Sequence, residues 1–385
     1  MHKKSSTLDW AKSEEHLLGS FSGFLPILHK LTSIFFGLTE YVHSRNRIYT
    51  PNGKIFRHGA RTPSAEEARY INVSDPRIYG HSGFYQLTQE GKRQVYELGS
   101  SLRQRYSKFL GEYKPNEIFA LSTRSSRTKM SLQLVLAGLF PPDSKNQWNP
   151  QLNWIPIPAP YVNTRFDVLL APHQCPKYIK LHEIETREFF RKSLIVYEDF
   201  LQFMENKTRI SFRSNYIYNF GWSYYAIKIH KMMNLPLPEW CTDDVMKTLE
   251  KLLELGLESM SLTTKLKKLN GGTLIREVLR NIDGSSNASL KIFLYSTHDL
   301  TLAAFTKAQK IEMSLPEFGS AIIVEEHEDS NGDIYIKMIT RDPMKKYFET
   351  MKIPGCEEYC NVEKYKKIVK EVIPTDEDIK YLLGA

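Results

Sequence analysis

The chain has 385 residues, 41% hydrophobic and 25% charged, a composition that excludes a fibrous or wholly disordered protein and leaves room for two to three domain-sized units, or one large domain with an insertion. The formal charge of +8 suits anionic partners, yet Lys and Arg are dispersed and no nucleic-acid motif occurs, so nucleic acid is not an expected partner. Four cysteines, Cys175, Cys241, Cys356 and Cys360, show no zinc-finger spacing; Cys356 and Cys360 could close a small disulfide loop in an oxidising compartment. Residues 1–50 are the least legible. Phe21 to Val42 is apolar on average but broken by Pro26, His29 and Lys30, too interrupted for a stable membrane span. The layout of a signal peptide is missing too, so the expectation is an atypical leader, disordered or an aberrant signal region. Tyr49 to Lys54 is turn-like and leaves Ile55-Phe56 as the only apolar approach to Arg57 and His58, too short for a buried strand.

The octet Phe56-Arg57-His58-Gly59-Ala60-Arg61-Thr62-Pro63 carries the densest chemistry in the chain. A histidine between two arginines is poorly placed for a cationic metal and well placed to face a dianion, because guanidinium forks match phosphate oxygens. The imidazole would then sit beside phosphorus as a nucleophile. A basic surface turn that happens to contain a histidine is the other reading of the octet. From Leu87 the pattern is helical, with Thr88 as a cap and Val95, Leu98, Leu102, Tyr106 and Phe109 on one face. Glu117 to Ser122 reads as a short strand that runs into a polar turn and an apolar helix ending at Phe140-Pro141-Pro142. Strand, turn and helix aim backbone N–H groups at an anion, and Arg127 stands where the helix begins.

Residues 148–285 are rich in aromatics and helical periodicity and are expected to form a mostly helical cap inserted between two parts of an α/β core, residues 51–147 and 286–385. Asn219 to Tyr225 and Leu235 to Trp240 read as packing elements. Lys291 to Tyr295 is a buried-strand candidate that delivers Ser296-Thr297-His298-Asp299, with a helix after it. Ligands collect at such carboxyl ends of parallel strands, although Asp299 could serve only as a helix cap. Ala321 to Glu326 and Asp333 to Thr340 flank Ser330-Asn331-Gly332, a hairpin signal. Sequons stand at Asn72, Asn206 and Asn287 as candidate glycosylation sites.

Three candidate turns thus carry Arg57, His58 and Arg61; Arg127; and His298 with Asp299. Cleaving a phosphate monoester demands electrostatic clamping of a highly charged group. These side chains could hold its oxygens while His58 attacks and a protonated Asp299 supplies the leaving oxygen with a proton. That role for Asp299 implies activity at acidic pH, with neither metal nor other cofactor.

The octet and the Ser-Thr-His-Asp stretch resemble the two signatures of the histidine acid phosphatases, branch 2 of the histidine phosphatase superfamily, most closely the prostatic and insect venom types. Gln86-Leu87-Thr88, Phe140-Pro141-Pro142, Leu237-Pro238-Glu239-Trp240 and Pro354-Gly355-Cys356 through Cys360 carry the resemblance further, over roughly residues 55–379. It implies a phosphoglycerate-mutase-like α/β core with a helical cap. It also implies a phosphohistidine on His58, Asp299 as proton donor, and phosphate held by Arg57, Arg61, Arg127 and His298. A Cys356–Cys360 disulfide, a secreted or lysosomal protein, a homodimer, and small-molecule or phosphoprotein monoesters as substrates are implied in the same way. The resemblance implies an apolar strand leading directly into the octet, which Pro51-Asn52-Gly53 interrupts here. Two alternatives accompany the reading: an inactive secreted relative that binds phosphorylated ligands, and a phytase or inositol-polyphosphate phosphatase.

Overall fold

A computed structural model describes residues 48–284, 289–345 and 347–384, with side chains from Gly53 onward. The leader expected over residues 1–50 lies outside them except for its last three residues, and the sequon at Asn287 lies outside them as well. Those last three residues begin a strand. β1 runs Ile48–Arg57, where the sequence suggested a turn. Its register against the neighbouring strand shifts between Thr50 and Gly53, so a bulge takes up Pro51 and Asn52 and pairing resumes on both sides. A bulge is one of the few places where a sheet tolerates proline. The strand is therefore extended, with the octet still at its end.

The main sheet has the order β2-β3-β1-β4-β5-β6, with β7 paired to β5. Here β2 is Ile118–Ser122, β3 Ile292–Thr297, β4 Ala321–Glu328, β5 Ile334–Arg341, β6 Phe348–Met351 and β7 Cys360–Asn361. β1, β2 and β3 are mutually parallel, and the rest are antiparallel. The β4–β5 hairpin closes where Asn331-Gly332 was expected to turn it, with Gly332 at φ +83°.

Side chains alternate between the two faces of the sheet. Phe56, Leu294, Ala321 and Ile323 meet Val95, Leu98, Leu102, Leu132 and Val135 on one face. Ile55, Phe293, Tyr295, Ile322 and Val324 meet Leu274, Val278, Leu302, Phe305 and Tyr365 on the other. The covering helices are α2 (Gln89–Leu110) and α3 (Ser126–Leu139) on the first face. On the second they are α9 (Gly271–Ile282), α10 (Asp299–Ala308) and α11 (Val362–Val369). A short α1 (Ala65–Arg69) comes directly after the octet.

Between α3 and β3 lie α4 (Pro176–Ser193), α5 (Glu198–Thr208), α6 (Tyr216–Met232), α7 (Asp243–Ser259) and α8 (Thr264–Leu269). Leu201, Met204, Phe220, Tyr224, Leu249 and Leu252 build a second core, which also takes in Ala60, Ala303 and Phe318 from the sheet side. This shared core ties the helical layer to the turn after β1. A last helix, α12, spans Asp376–Leu383. Cys356 and Cys360 are disulfide-bonded, and Cys175 and Cys241 are free and buried. Among the described residues, no helix is long and apolar enough to cross a membrane.

Candidate active site

The parallel register decides where the chemistry sits. Arg57 pairs with Thr297, and Ser122 pairs with Ser296, so β1, β3 and β2 end side by side. The next residue of each strand is His58, His298 and Thr123. The backbone N–H of His58 donates to the Thr297 carbonyl (3.1 Å) and that of Thr123 to the Ser296 carbonyl (3.1 Å), which holds the three strand ends in line. Gly59 is required by a close backbone approach: a β-carbon there would lie 2.1 Å from the carbonyl oxygen of Gly91, and one on Gly91 would lie 1.8 Å from that of Ala60. The first turn of α2, capped by Thr88, therefore packs directly on the octet.

His58 is 2% exposed. Its Nδ1–H donates to the Gly59 carbonyl (2.9 Å), which assigns the proton to Nδ1 and leaves Nε2 with its lone pair. Burial, then the charges of Arg127 and Arg57, hold its pKa well below the usual histidine value, so the ring stays neutral in mild acid. The His298 ring stands edge-on to it, 5.5 Å between centroids. Arg127 Nη2 donates to His298 Nδ1 (3.1 Å), so the proton of His298 is on Nε2, which donates to Thr123 Oγ1 (3.0 Å). Burial, then Arg127, likewise keeps His298 neutral.

The three arginines are held in different ways. Arg57 Nη1 donates to the Pro316 carbonyl (2.6 Å) and Nη2 faces Asp299 (3.2 Å), while the plane lies over Phe318 (3.9 Å) and Tyr225 (4.7 Å). Arg61 gives both terminal nitrogens to Glu67 (2.5 and 2.6 Å). Arg127 is 9% exposed, and burial lowers its pKa to about 10. Among the described residues, four buried guanidinium nitrogens of these three arginines have no partner: Nε of Arg57, Nε of Arg61, and Nε and Nη1 of Arg127. A buried, unpaired cationic donor is costly unless an anion completes it.

Asp299 Oδ2 accepts from the Tyr225 hydroxyl (2.5 Å), and Oδ1 accepts from the Leu300 N–H (2.9 Å). Burial alone would push this carboxyl up, but Arg57, Tyr225 and the Leu300 N–H outweigh it and hold it below the ordinary aspartate value. These contacts favour the carboxylate form of Asp299, whereas its expected role as proton donor calls for a partly protonated acid.

All the sequence-predicted site residues, Arg57, His58, Arg61, Arg127, His298 and Asp299, thus meet at one end of the sheet. Sequence reasoning missed Glu67, Tyr225, Phe318, Thr123 and Tyr85, whose ring lies over Arg127 (4.2 Å) and Arg61 (5.0 Å). Glu67 had a signal: with Ser64 it forms a capping box, Ser64 N–H to Glu67 Oε2 (2.7 Å) and Glu67 N–H to Ser64 Oγ (3.1 Å). Tyr225 had none, because a tyrosine in an aromatic helix gives no sign of facing the end of a sheet built from distant parts of the chain. Asn72 and Asn206, the two sequon residues among the described ones, are exposed.

Strand ends that bring a neutral histidine into a ring of under-partnered arginines define an anion-handling α/β enzyme. The family model of the histidine phosphatase superfamily (branch 2) matches residues 54–341. The chain is 35% identical to the prostatic acid phosphatase of Homo sapiens, over 84% of this chain and 85% of that one. It is 32% identical to the venom acid phosphatase of Apis mellifera, over 84% and 85%. The solved phytase of Klebsiella sp. ASR1 superposes with a TM-score of 0.63 at 14% identity, over 88% of this chain and 99% of that one, a likeness of fold alone. The chain belongs to the histidine phosphatase superfamily, branch 2.

Proposed function

We propose that this chain is an acid phosphatase that hydrolyses phosphate monoesters through a phosphohistidine on His58. The observation that carries the reading is the set of four unpartnered guanidinium nitrogens around a histidine whose Nε2 is free. Arg57, Arg61 and Arg127 hold the phosphoryl oxygens. His298, placed between Thr123 and Arg127, turns an N–H toward the same group once phosphate displaces one of those partners. His58 Nε2 attacks phosphorus in line as the ester P–O bond breaks, and Asp299 protonates the departing oxygen. Water then attacks the phosphohistidine, gives a proton to Asp299, and releases inorganic phosphate and neutral His58.

The carboxylate state of Asp299 fits this scheme at acidic pH. A monoester has its second pKa near 6, so below that it arrives with a proton of its own. Its charge competes for Arg57, which weakens the interaction that keeps Asp299 ionised, and the proton passes to the carboxylate. His58, held neutral by burial and its arginines, remains a nucleophile under the same conditions.

Residues 148–285 act in this reading as a cap over the site; support comes from Tyr225 of α6, which reaches Asp299. A secreted or lysosomal location is supported by the disulfide and by the venom relative, glycosylation at Asn72 and Asn206 by their exposure, and a homodimer by the family resemblance. The decisive experiment is phosphate release from an aryl phosphate near pH 5 by the chain and by its His58→Ala variant. Activity in the first and not in the second is expected; no activity in the folded parent would sink the proposal.

A further inference from the structure

Tyr85 combines three features that the chemistry above does not use. Its backbone is left-handed, φ +65°, a conformation that bulky residues seldom adopt. Its ring lies within cation–π reach of two arginines of the site, 4.2 Å from Arg127 Cζ and 5.0 Å from Arg61 Cζ. It is also 38% exposed, whereas those arginines are 9% and 6% exposed and the rings on Arg57, Phe318 and Tyr225, are 1% and 5% exposed. Tyr85 is therefore the aromatic ring between the guanidinium groups and solvent.

The loop that carries it is clamped to the octet, which is what holds the strained backbone in place. The Tyr85 N–H donates to the Pro63 carbonyl (2.8 Å) and the Thr62 N–H to the Gln86 carbonyl (2.8 Å). The Thr62 hydroxyl donates to the Gly83 carbonyl (2.8 Å) and accepts from the Gln86 N–H (3.0 Å). The octet thus fixes the backbone from which the ring projects over Arg61 and Arg127.

We propose that Tyr85 is a specificity-determining residue that selects monoesters with flat aromatic leaving groups, by offering them a rigid stacking face at the mouth of the site. This rests on the phosphatase reading. A phosphate bound by Arg61 and Arg127 lies beside the ring, so the group attached to its ester oxygen passes along it on the way to solvent. An aryl group gains from an offset or edge-on stack, worth roughly two- to tenfold in affinity. A small polyol gains nothing there.

The test compares kcat/KM for phenyl phosphate and glycerol 2-phosphate in the parent, Tyr85→Gly and Tyr85→Phe. The ratio between substrates is compared across variants, so the difference in leaving-group acidity cancels. Tyr85→Gly should lower the preference for phenyl phosphate two- to tenfold, with a melting temperature no lower than the parent's because glycine accepts the left-handed backbone; Tyr85→Phe should keep the preference. An unchanged ratio in Tyr85→Gly, or an equal fall in Tyr85→Phe, overturns the proposal.

A binding arm separates this from the phosphatase reading. In the His58→Ala background, calorimetry with phenyl phosphate and with inorganic phosphate needs no turnover. Added Tyr85→Gly should weaken phenyl phosphate more than inorganic phosphate. Equal weakening removes the specificity role and leaves the phosphate site standing, while failure of every form to bind either ligand removes both.

Discussion

β1 and β4 carry two buried charge clusters, and they are built to opposite ends. Lys54 and Arg57 are three residues apart on β1. Around Lys54, the charge is answered from within: Glu325, fully buried, accepts from Tyr106 (2.6 Å), Arg105 Nε (2.9 Å) and His327 Nε2 (3.2 Å), and Lys54 Nζ lies 4.7 Å from the Tyr106 ring centroid. Around Arg57, three arginines share two carboxylates, Glu67 and Asp299, and four guanidinium nitrogens are left without partners. The same desolvation acts on both clusters. A cation cluster that contains its own anion is a structural device, whereas one that is short of an anion is shaped to receive it. Burial of arginine therefore does not itself mark the site, and neither does one missing partner, since Arg341 is buried with two unpartnered nitrogens; three such arginines gathered around His58 do.

Removing one residue from each cluster should separate those roles. His58→Ala takes away a neutral ring and should lower turnover at least ~10⁴-fold, because the other imidazole of the cluster, His298, has both ring nitrogens engaged by Thr123 and Arg127. Its stability cost should be only that of the cavity the ring leaves, about 1–3 kcal/mol. Glu325→Gln should do the reverse. It removes the negative charge that faces Lys54 and Arg105 and should cost about 3–5 kcal/mol of stability, read from the denaturant midpoint, with kcat per folded molecule little changed. A Glu325→Gln protein as stable as the parent would dissolve the distinction between the clusters.

Asp299→Asn sharpens the account of the open cluster. An amide cannot supply the proton, so kcat for an alkyl phosphate should fall roughly 10²–10³-fold. A nitrophenyl ester, whose leaving oxygen needs no proton, should lose far less. Equal losses on the two esters would show that Asp299 acts only by holding Arg57.

The open cluster was largely legible from sequence because its members stand at strand ends, and a strand end is marked by where an apolar run stops. Val95, Leu98 and Leu102 and the Asn331-Gly332 hairpin were legible for the same kind of local reason. β1 was misread because Pro51-Asn52-Gly53 carries a strong turn signal, and only pairing with β4 across a bulge overrides it. The closed cluster was not legible. Lys54, Arg105, Glu325 and His327 are charged residues in ordinary surface patterns, and what buries them is the meeting of β1, β4 and α2, far apart in the chain. Tyr225 was hidden similarly: it shares a helix with Tyr224, and the fold decides which of the two faces Asp299.

The two clusters should also come apart along the pH axis. Burial pushes the Glu325 carboxyl up, but hydrogen bonds from His327 and Tyr106 and the charge of Arg105 outweigh it and bring its pKa down to about 2. A depressed carboxyl contributes stability that is complete above its unfolded value, about 4.3 for a glutamate, and is lost as the pH falls through its folded one. The histidines of the open cluster also have depressed values, and they act in a higher window. His173, which feels the charge of Asp299, is held at about 4 by burial, and His58 and His298 are lowered in the same direction. Below about 6.5 the unfolded chain takes up protons that these buried rings refuse, so stability should fall by about 1 kcal/mol per pH unit for each such ring. His182, on α4 and also held at about 4, adds to that window without belonging to the cluster. Inorganic phosphate separates the contributions. Binding the arginines removes part of the repulsion that keeps His58 and His298 neutral and stabilises the folded state by mass action, about 2.7 kcal/mol at a hundred times its Kd. Denaturant midpoints between about pH 6.5 and 4.5 should therefore rise and flatten with phosphate in the parent. The part of the slope at lower pH that belongs to Glu325 should be unchanged, because its partners are Arg105, Tyr106 and His327 rather than the arginines of the open cluster. Phosphate that left the upper slope unchanged would mean that the unpartnered guanidinium groups do not receive it.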